Sequence, residues 1–169
     1  MTKPTVRIAE DEHGPRATYD DIVVGQDLGS LQWTISEDDI DKQCRIDEDY
    51  DDAFSLGARY DGRVAPPQIQ YRPPRWLLSR NYNVRGVFYK WDFEHLAPLR
   101  PGVTITVSGT VIDKRVVRGR EYIEFESIGR DEAGTALFKT RRTHVLDLAD
   151  RNAPREGRGI DSGVKSEKI

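Results

Sequence analysis

The clearest pattern in the chain is a period-two alternation of apolar and polar residues in its second half. Val or Ile at positions 105, 107 and 111 alternates with Thr or Ser at 104, 106, 108 and 110, and Ile123 and Phe125 alternate with Tyr122 and Glu124. This period is typical of a strand with one buried face. We expect strands over residues 84–93, 103–117, 121–129 and 135–146. Short turns at 118–119 and 131–134 indicate that the last three form an antiparallel meander.

The first half of the chain predicts shorter elements. Residues 19–26 are typical of one helical turn ended by Gly25, and residues 28–35 alternate as a strand does. Ser36 precedes Asp39 by three positions, which is the spacing of a capping box. We therefore expect a helix to begin there and to bury Ile40 and Cys44 on one face.

A second helix is predicted between Ile69 and Leu78, where apolar and aromatic residues are frequent. Pro73 and Pro74 lie in the middle of this segment and remove two N–H donors. Either the helix is kinked, or it begins near Pro73 and residues 66–67 belong to an extended approach. One helix followed by an antiparallel meander predicts the α+β class.

Composition and charge restrict the functions that this chain can have. It contains 169 residues, of which 37% are hydrophobic, and 29 acidic against 26 basic residues give a net charge of -3. The length and composition predict one domain over residues 17–149, with polar tails at 1–16 and 150–169. The slightly negative net charge does not favour binding to nucleic acid or membranes. With one cysteine and no long apolar run, we expect a soluble cytoplasmic protein.

A sheet that curls round one helix leaves its edge strands open. Such units bury their edges against another chain. We therefore expect a homodimer or a heteromer.

The order of these parts resembles the hot dog fold of MaoC-like enoyl-thioester hydratases and dehydratases. The resemblance rests on GRVAPP at residues 62–67, the apolar helical segment after it, and LRPG at 99–102 before the long strands. It implies a sheet wrapped around a helix, with an acyl-thioester, such as an acyl-CoA, lying where two such units meet. It also implies that the protein needs no cofactor, since the acyl-CoA thioester is its substrate.

Two residues depart from the motifs of active family members. Those members carry a motif close to Asp-Tyr-Asn-Pro-Leu-His, whose Asp and His act as base and acid. Here Asp49 and Tyr50 agree, but Phe54 stands where the His should be and cannot transfer a proton. Active members also stabilise the thioester oxygen with a backbone N–H at the start of the helix. That position is Pro67, which has no N–H.

The Ala-Pro-Pro pattern is similar to the non-catalytic halves of double hot dog hydratases and to the substrate-holding chains of two-chain relatives. By that resemblance, this chain forms the walls of the acyl site while a partner provides the Asp and His. The residues expected to bind substrate are Tyr50, Phe54, Val64, Ala65, Pro66, Pro67, Gln68, Tyr71 and Trp76.

The histidines offer few alternatives for catalysis. His95 lies before the turn at residues 99–102 and is a candidate acid or base, together with Asp49. We expect His144 to face solvent or a neighbouring chain. None of the histidines has metal-ligand spacing, so we expect no metal site. Aromatic residues such as Trp33, Trp91 and Tyr71 are expected to fill the core.

Three functions remain open on the sequence. The first is a MaoC-like subunit that forms the acyl-thioester site of a hydratase or dehydratase with a catalytic partner. The second is a self-sufficient hydro-lyase that uses Asp49 and His95 in a rearranged site. The third is a non-enzymatic protein that binds acyl-CoA.

Overall fold

A computed structural model describes residues 17–55, 61–82 and 86–146 of the chain. The predicted tails at 1–16 and 150–169 lie outside these residues, as does position 84, where a strand was expected to begin. The described strands are β1 (Asp27–Thr34), β2 (Gly86–His95), β3 (Thr104–Val117), β4 (Arg120–Arg130) and β5 (Ala136–Leu146). The helices are α1 (Glu37–Asp47), α2 (Asp52–Ser55) and α3 (Arg72–Asn81), and a 3-10 segment spans Pro67–Tyr71.

The strands form one antiparallel sheet in the order β1-β3-β4-β5-β2. The meander of β3, β4 and β5 confirms the prediction from the alternating pattern. The strand order adds what the pattern did not give, because β2 crosses the sheet to pair with β5 rather than with β3. β1 and β2 are therefore the two edges.

The capping box predicted at Ser36 is present. The Ser36 hydroxyl accepts a hydrogen bond from the Asp39 N–H at 3.1 Å, and the Asp39 carboxylate accepts one from the Ser36 N–H at 3.0 Å. Two otherwise orphaned groups are thus satisfied at the start of α1. Its buried face includes Ile40 and Cys44, as expected. In contrast, residues 18–26 form hydrogen-bonded turns and not a turn of helix.

The two prolines at 73 and 74 lie in the first turn of α3. Their missing N–H groups cost nothing there, because first-turn N–H groups have no acceptor within a helix. Of the two alternatives, the helix that begins near Pro73 is therefore correct. The extended approach ends at Pro66, since Pro67 already begins the 3-10 segment.

α3 lies across one half of the inner face of the sheet, against β1 and β3. The buried side chains of that half are apolar and include Trp33, Ile105 and Val107. The inner face of β5 and β2 lies beyond α3. This arrangement, an antiparallel sheet curled over one main helix, confirms the α+β class.

Candidate functional site

The segment that carries Asp49 follows the end of α1. Glu48 adopts a left-handed conformation with φ of 53° and ends the helix, which turns Asp49 away from the helix axis. The Asp49 carboxylate accepts a hydrogen bond from the Asp51 N–H at 3.3 Å, and Tyr50 is exposed. Phe54, in α2, packs its ring against the apolar core. Phe54, at the position where active family members have the catalytic His, therefore packs against the core and has no acid–base role.

Arg63 joins this segment to α1. Its Nε donates to the Phe54 carbonyl, and its two terminal nitrogens bind the carboxylates of Glu37 and Asp41. These contacts lower the pKa of the Asp41 carboxyl and raise the pKa of Arg63, although burial opposes the latter effect. The Val64 N–H also donates to the Ala53 carbonyl at 3.2 Å. The two stretches with the predicted substrate-binding residues are thus held side by side.

The backbone at residues 65–67 has no free N–H group. The Ala65 N–H donates to the Leu99 carbonyl at 2.7 Å, and Pro66 and Pro67 have no N–H. The next residue, Gln68, is exposed, and Val64, Ala65 and Pro66 are buried. The start of the helical segment therefore offers no backbone donor at Pro67, where the resemblance locates the oxyanion site, or at the two residues before it.

His95 lies at the end of β2, opposite Phe138 of β5. The residue is exposed, yet partial burial of its ring lowers the pKa of His95 below its usual value. The imidazole is therefore largely neutral at pH 7. The structure records no hydrogen bond or ion pair between His95 and Asp49 among the residues it describes.

A buried arginine in β5 is the most unusual side chain in the sheet, and sequence reasoning missed it. Arg142 is 1% exposed, and its Nη2 donates to the Tyr71 carbonyl at 2.5 Å. Its guanidinium carbon lies 4.5 Å from the ring centre of Tyr71, 4.9 Å from Trp91 and 5.6 Å from Phe88. Burial, with a smaller effect of Arg75, lowers the pKa of Arg142 to about 10, so it stays charged at neutral pH.

The aromatic side chains are divided between two places, which corrects the expectation that they all fill one core. Trp33 and Tyr82 are in the core, and Trp76 packs against it. Tyr71, Phe88 and Trp91 instead surround Arg142 on the other half of the inner face. Of the predicted substrate-binding residues, Tyr71 contacts this cluster.

His144 was expected to face either solvent or a neighbouring chain. The structure excludes solvent, because the ring packs against other aromatic rings. Its ring lies 5.5 Å from that of Phe88 and 5.6 Å from that of Phe125, and its Nε2 is buried without a partner. Burial, together with the charges of Arg142 and Arg75, lowers the pKa of His144 to about 4.

A groove of about 230 Å³ lies near the β2 edge. It is lined mostly by charged side chains of β2, β4 and β5 and contains none of the predicted site residues. In the described part of the chain, no three His, Cys, Asp or Glu residues are grouped to hold a metal ion. No helix among these residues is long and apolar enough to cross a membrane.

No protein-family model matches the chain, and no curated protein matches its sequence significantly. Solved structures match its fold. R-hydratase PhaJ1 from Pseudomonas aeruginosa is 14% identical with a TM-score of 0.64, over 83% of this chain and 96% of that one. A MaoC-like dehydratase from Rhodospirillum rubrum is 18% identical with a TM-score of 0.60, over 75% and 94%.

A third match is a chain of the HadBC complex, a 3R-hydroxyacyl-ACP dehydratase from Mycobacterium tuberculosis. It is 13% identical with a TM-score of 0.66, over 73% of this chain and 97% of that one. All three neighbours are hydratases or dehydratases, one of them is a MaoC-like dehydratase, and one belongs to a complex. The chain has the hot dog fold that they share.

Proposed function

We propose that this chain is the substrate-holding subunit of a two-chain hydratase or dehydratase that acts on acyl-thioesters. The fold neighbours support this class of reaction, and the HadBC match supports a subunit role. The observation that carries the proposal is the backbone at 65–67, which has no free N–H group.

Adding water to an enoyl-thioester needs a base, an acid and a donor to the thioester oxygen. Phe54 replaces the acid, and the prolines remove the donor. A partner chain with an intact Asp and His would activate water and protonate the α carbon, and its backbone N–H would bind the thioester oxygen. This chain would provide walls from residues 64–68, Tyr71 and Trp76.

The β2 edge supports association with a second chain. Its outer side has no strand partner among the described residues, and Tyr89, Phe93 and Leu96 are 63%, 42% and 50% exposed along or just after it. An exposed apolar edge strand is a surface for pairing.

We expect the native mass of the purified protein to be at least twice the 19.3 kDa of one chain. Native mass spectrometry at micromolar concentration measures it directly. Tyr89→Glu should weaken the assembly by placing a charge at the edge, whereas Val23→Glu, at an equally exposed position in the first turns, should not. A monomer mass for the unmodified chain would refute the assembly.

Activity tests the division of roles. The purified chain should hydrate crotonyl-CoA no faster than the uncatalysed reaction. Co-expression with a hot dog chain that has the Asp and His should give a mixed complex that is at least about 100-fold faster, the usual contribution of acid–base catalysis. The assay follows loss of enoyl absorbance.

Asp49→Asn in this chain separates the proposal from a self-sufficient enzyme. In the mixed complex the substitution should leave the rate unchanged. Hydration by the isolated chain that disappears in Asp49→Asn would instead establish the rearranged site. Ligand binding without turnover in any complex would leave a non-enzymatic acyl-CoA-binding protein.

A further inference from the structure

The buried polar atoms that lack a hydrogen-bond partner are concentrated on one surface. In the described part of the chain there are seven such atoms, in Gln70, Trp91, Ser127, Thr140, Arg142 and His144. The last five residues belong to β2, β4 and β5, and Gln70 precedes Tyr71, whose ring and carbonyl contact Arg142.

Strand register places these side chains on the same inner face. Thr140 lies opposite Ser127 on one side and Phe93 on the other, and Arg142 lies opposite Phe125 and Trp91. Thr140 and Arg142 are two residues apart, which is about 7 Å along a strand. The Thr140 hydroxyl and the guanidinium are therefore neighbours along the inner face of β5.

The unpartnered atoms are mainly donors. The Arg142 Nε and the Trp91 Nε1 can only donate, and the Ser127 and Thr140 hydroxyls can each donate one hydrogen bond. No Asp or Glu forms an ion pair with Arg142 among the described residues. A buried positive charge surrounded by donors favours an anionic group that only accepts, and a carboxylate has two such oxygens.

Arg142 lies one side-chain layer below the surface. Each of the three rings around it, those of Tyr71, Phe88 and Trp91, is itself half-buried. These rings separate the guanidinium from solvent, so a ligand that reaches it has to displace at least one of them.

We propose that the inner face of β4, β5 and β2 binds a carboxylate, held by the Arg142 guanidinium and by the Ser127 and Thr140 hydroxyls. Tyr71 also belongs to the substrate-binding residues of the proposed function. If the proposed function is correct, the ligand is an acyl-thioester whose acyl group carries a carboxylate, and this identification rests on that function. The binding of a carboxylate by the isolated chain does not depend on the proposed function.

The test uses free dicarboxylates from malonate to adipate, each compared with its diamide at equal ionic strength. At least one dicarboxylate should bind the purified chain and shift the NMR signal of the Arg142 Nε–H, and its diamide should not. Arg142→Met should weaken that binding by about 10- to 100-fold, the range for a hydrogen bond to a charged group. Arg141→Gln is the matched control, because Arg141 lies exposed on the opposite face.

Thr140→Val gives a second test that keeps the side-chain shape, and it should weaken binding by several-fold. Circular dichroism shows whether each variant is folded. The absence of any dicarboxylate that binds, or binding that persists in folded Arg142→Met, would overturn the proposal. Carboxylate binding without hydration by any complex would refute the proposed function and leave this site intact. Hydration by the mixed complex without carboxylate binding would refute this site and leave the proposed function intact.

Discussion

Gly129→Ala should lower the free energy of unfolding by about 3 kcal/mol, the upper end of the cost of overpacking a core. A Cβ at Gly129 would lie 2.2 Å from the Cε1 of Phe138 and 2.5 Å from its Cζ. Phe138 is fully buried on the neighbouring strand, where its ring lies across the glycine. The ring cannot move aside without displacing the core, and urea unfolding of the purified variant measures the loss.

Two further variants identify the cause of this loss. Gly134→Ala places a Cβ in open space but in a backbone with φ of 84°, so it should cost about 1 kcal/mol. Phe138→Leu removes the ring edge that a Cβ at position 129 would meet. The double variant Gly129→Ala/Phe138→Leu should therefore lose much less free energy of unfolding than the sum of the losses in the two single variants. Additive losses would mean that the contact between Gly129 and Phe138 is not the source.

The strands were predictable from sequence because their burial is one-sided. For β3 and β4 the expected limits lie within one residue of the observed ones, since each apolar residue of the alternation faces the core. The strand order was not predictable, because alternation specifies a face and not a neighbour. β2 shows this, since it follows α3 in sequence but pairs with β5.

The polar half of the inner face was missed for a related reason. In β5 the inward positions are Phe138, Thr140, Arg142 and His144, a mixture that has no apolar periodicity. Alternation does place Arg142 on the face of Phe138, and that was the available signal. Sequence alone gives no reason to bury an arginine, because an unpaired charge is costly away from water.

Sequence and structure agree that the backbone at residues 65–67 has no free N–H group. Sequence identified Pro67 as a position without an N–H group. The structure adds that the Ala65 N–H is already bound to the Leu99 carbonyl, so moving the alignment by one or two residues toward the N-terminus does not restore a donor.

His144 should make the protein less stable as the pH falls from about 6.5 to about 4. Burial holds the pKa of folded His144 near 4, whereas the unfolded side chain has its usual pKa of 6.5. Between these values the unfolded chain binds a proton that the folded chain does not, so acid favours unfolding. The loss is about 1.4 kcal/mol per pH unit and about 3 kcal/mol over the window.

His144→Phe keeps an aromatic ring beside Phe88 and Phe125 but cannot bind a proton. Urea unfolding at fixed protein concentration, from pH 7 to pH 4.5, should therefore show a shallower decline for the variant than for the unmodified chain. Carboxylates contribute equally to both proteins, so the difference between the two slopes belongs to His144. His95→Gln, at an exposed histidine, should reduce the slope much less. Equal slopes for His144→Phe and the unmodified chain would contradict this prediction. They would mean that folded His144 binds a proton as readily as unfolded His144, so that neither burial nor the charge of Arg142 lowers its pKa.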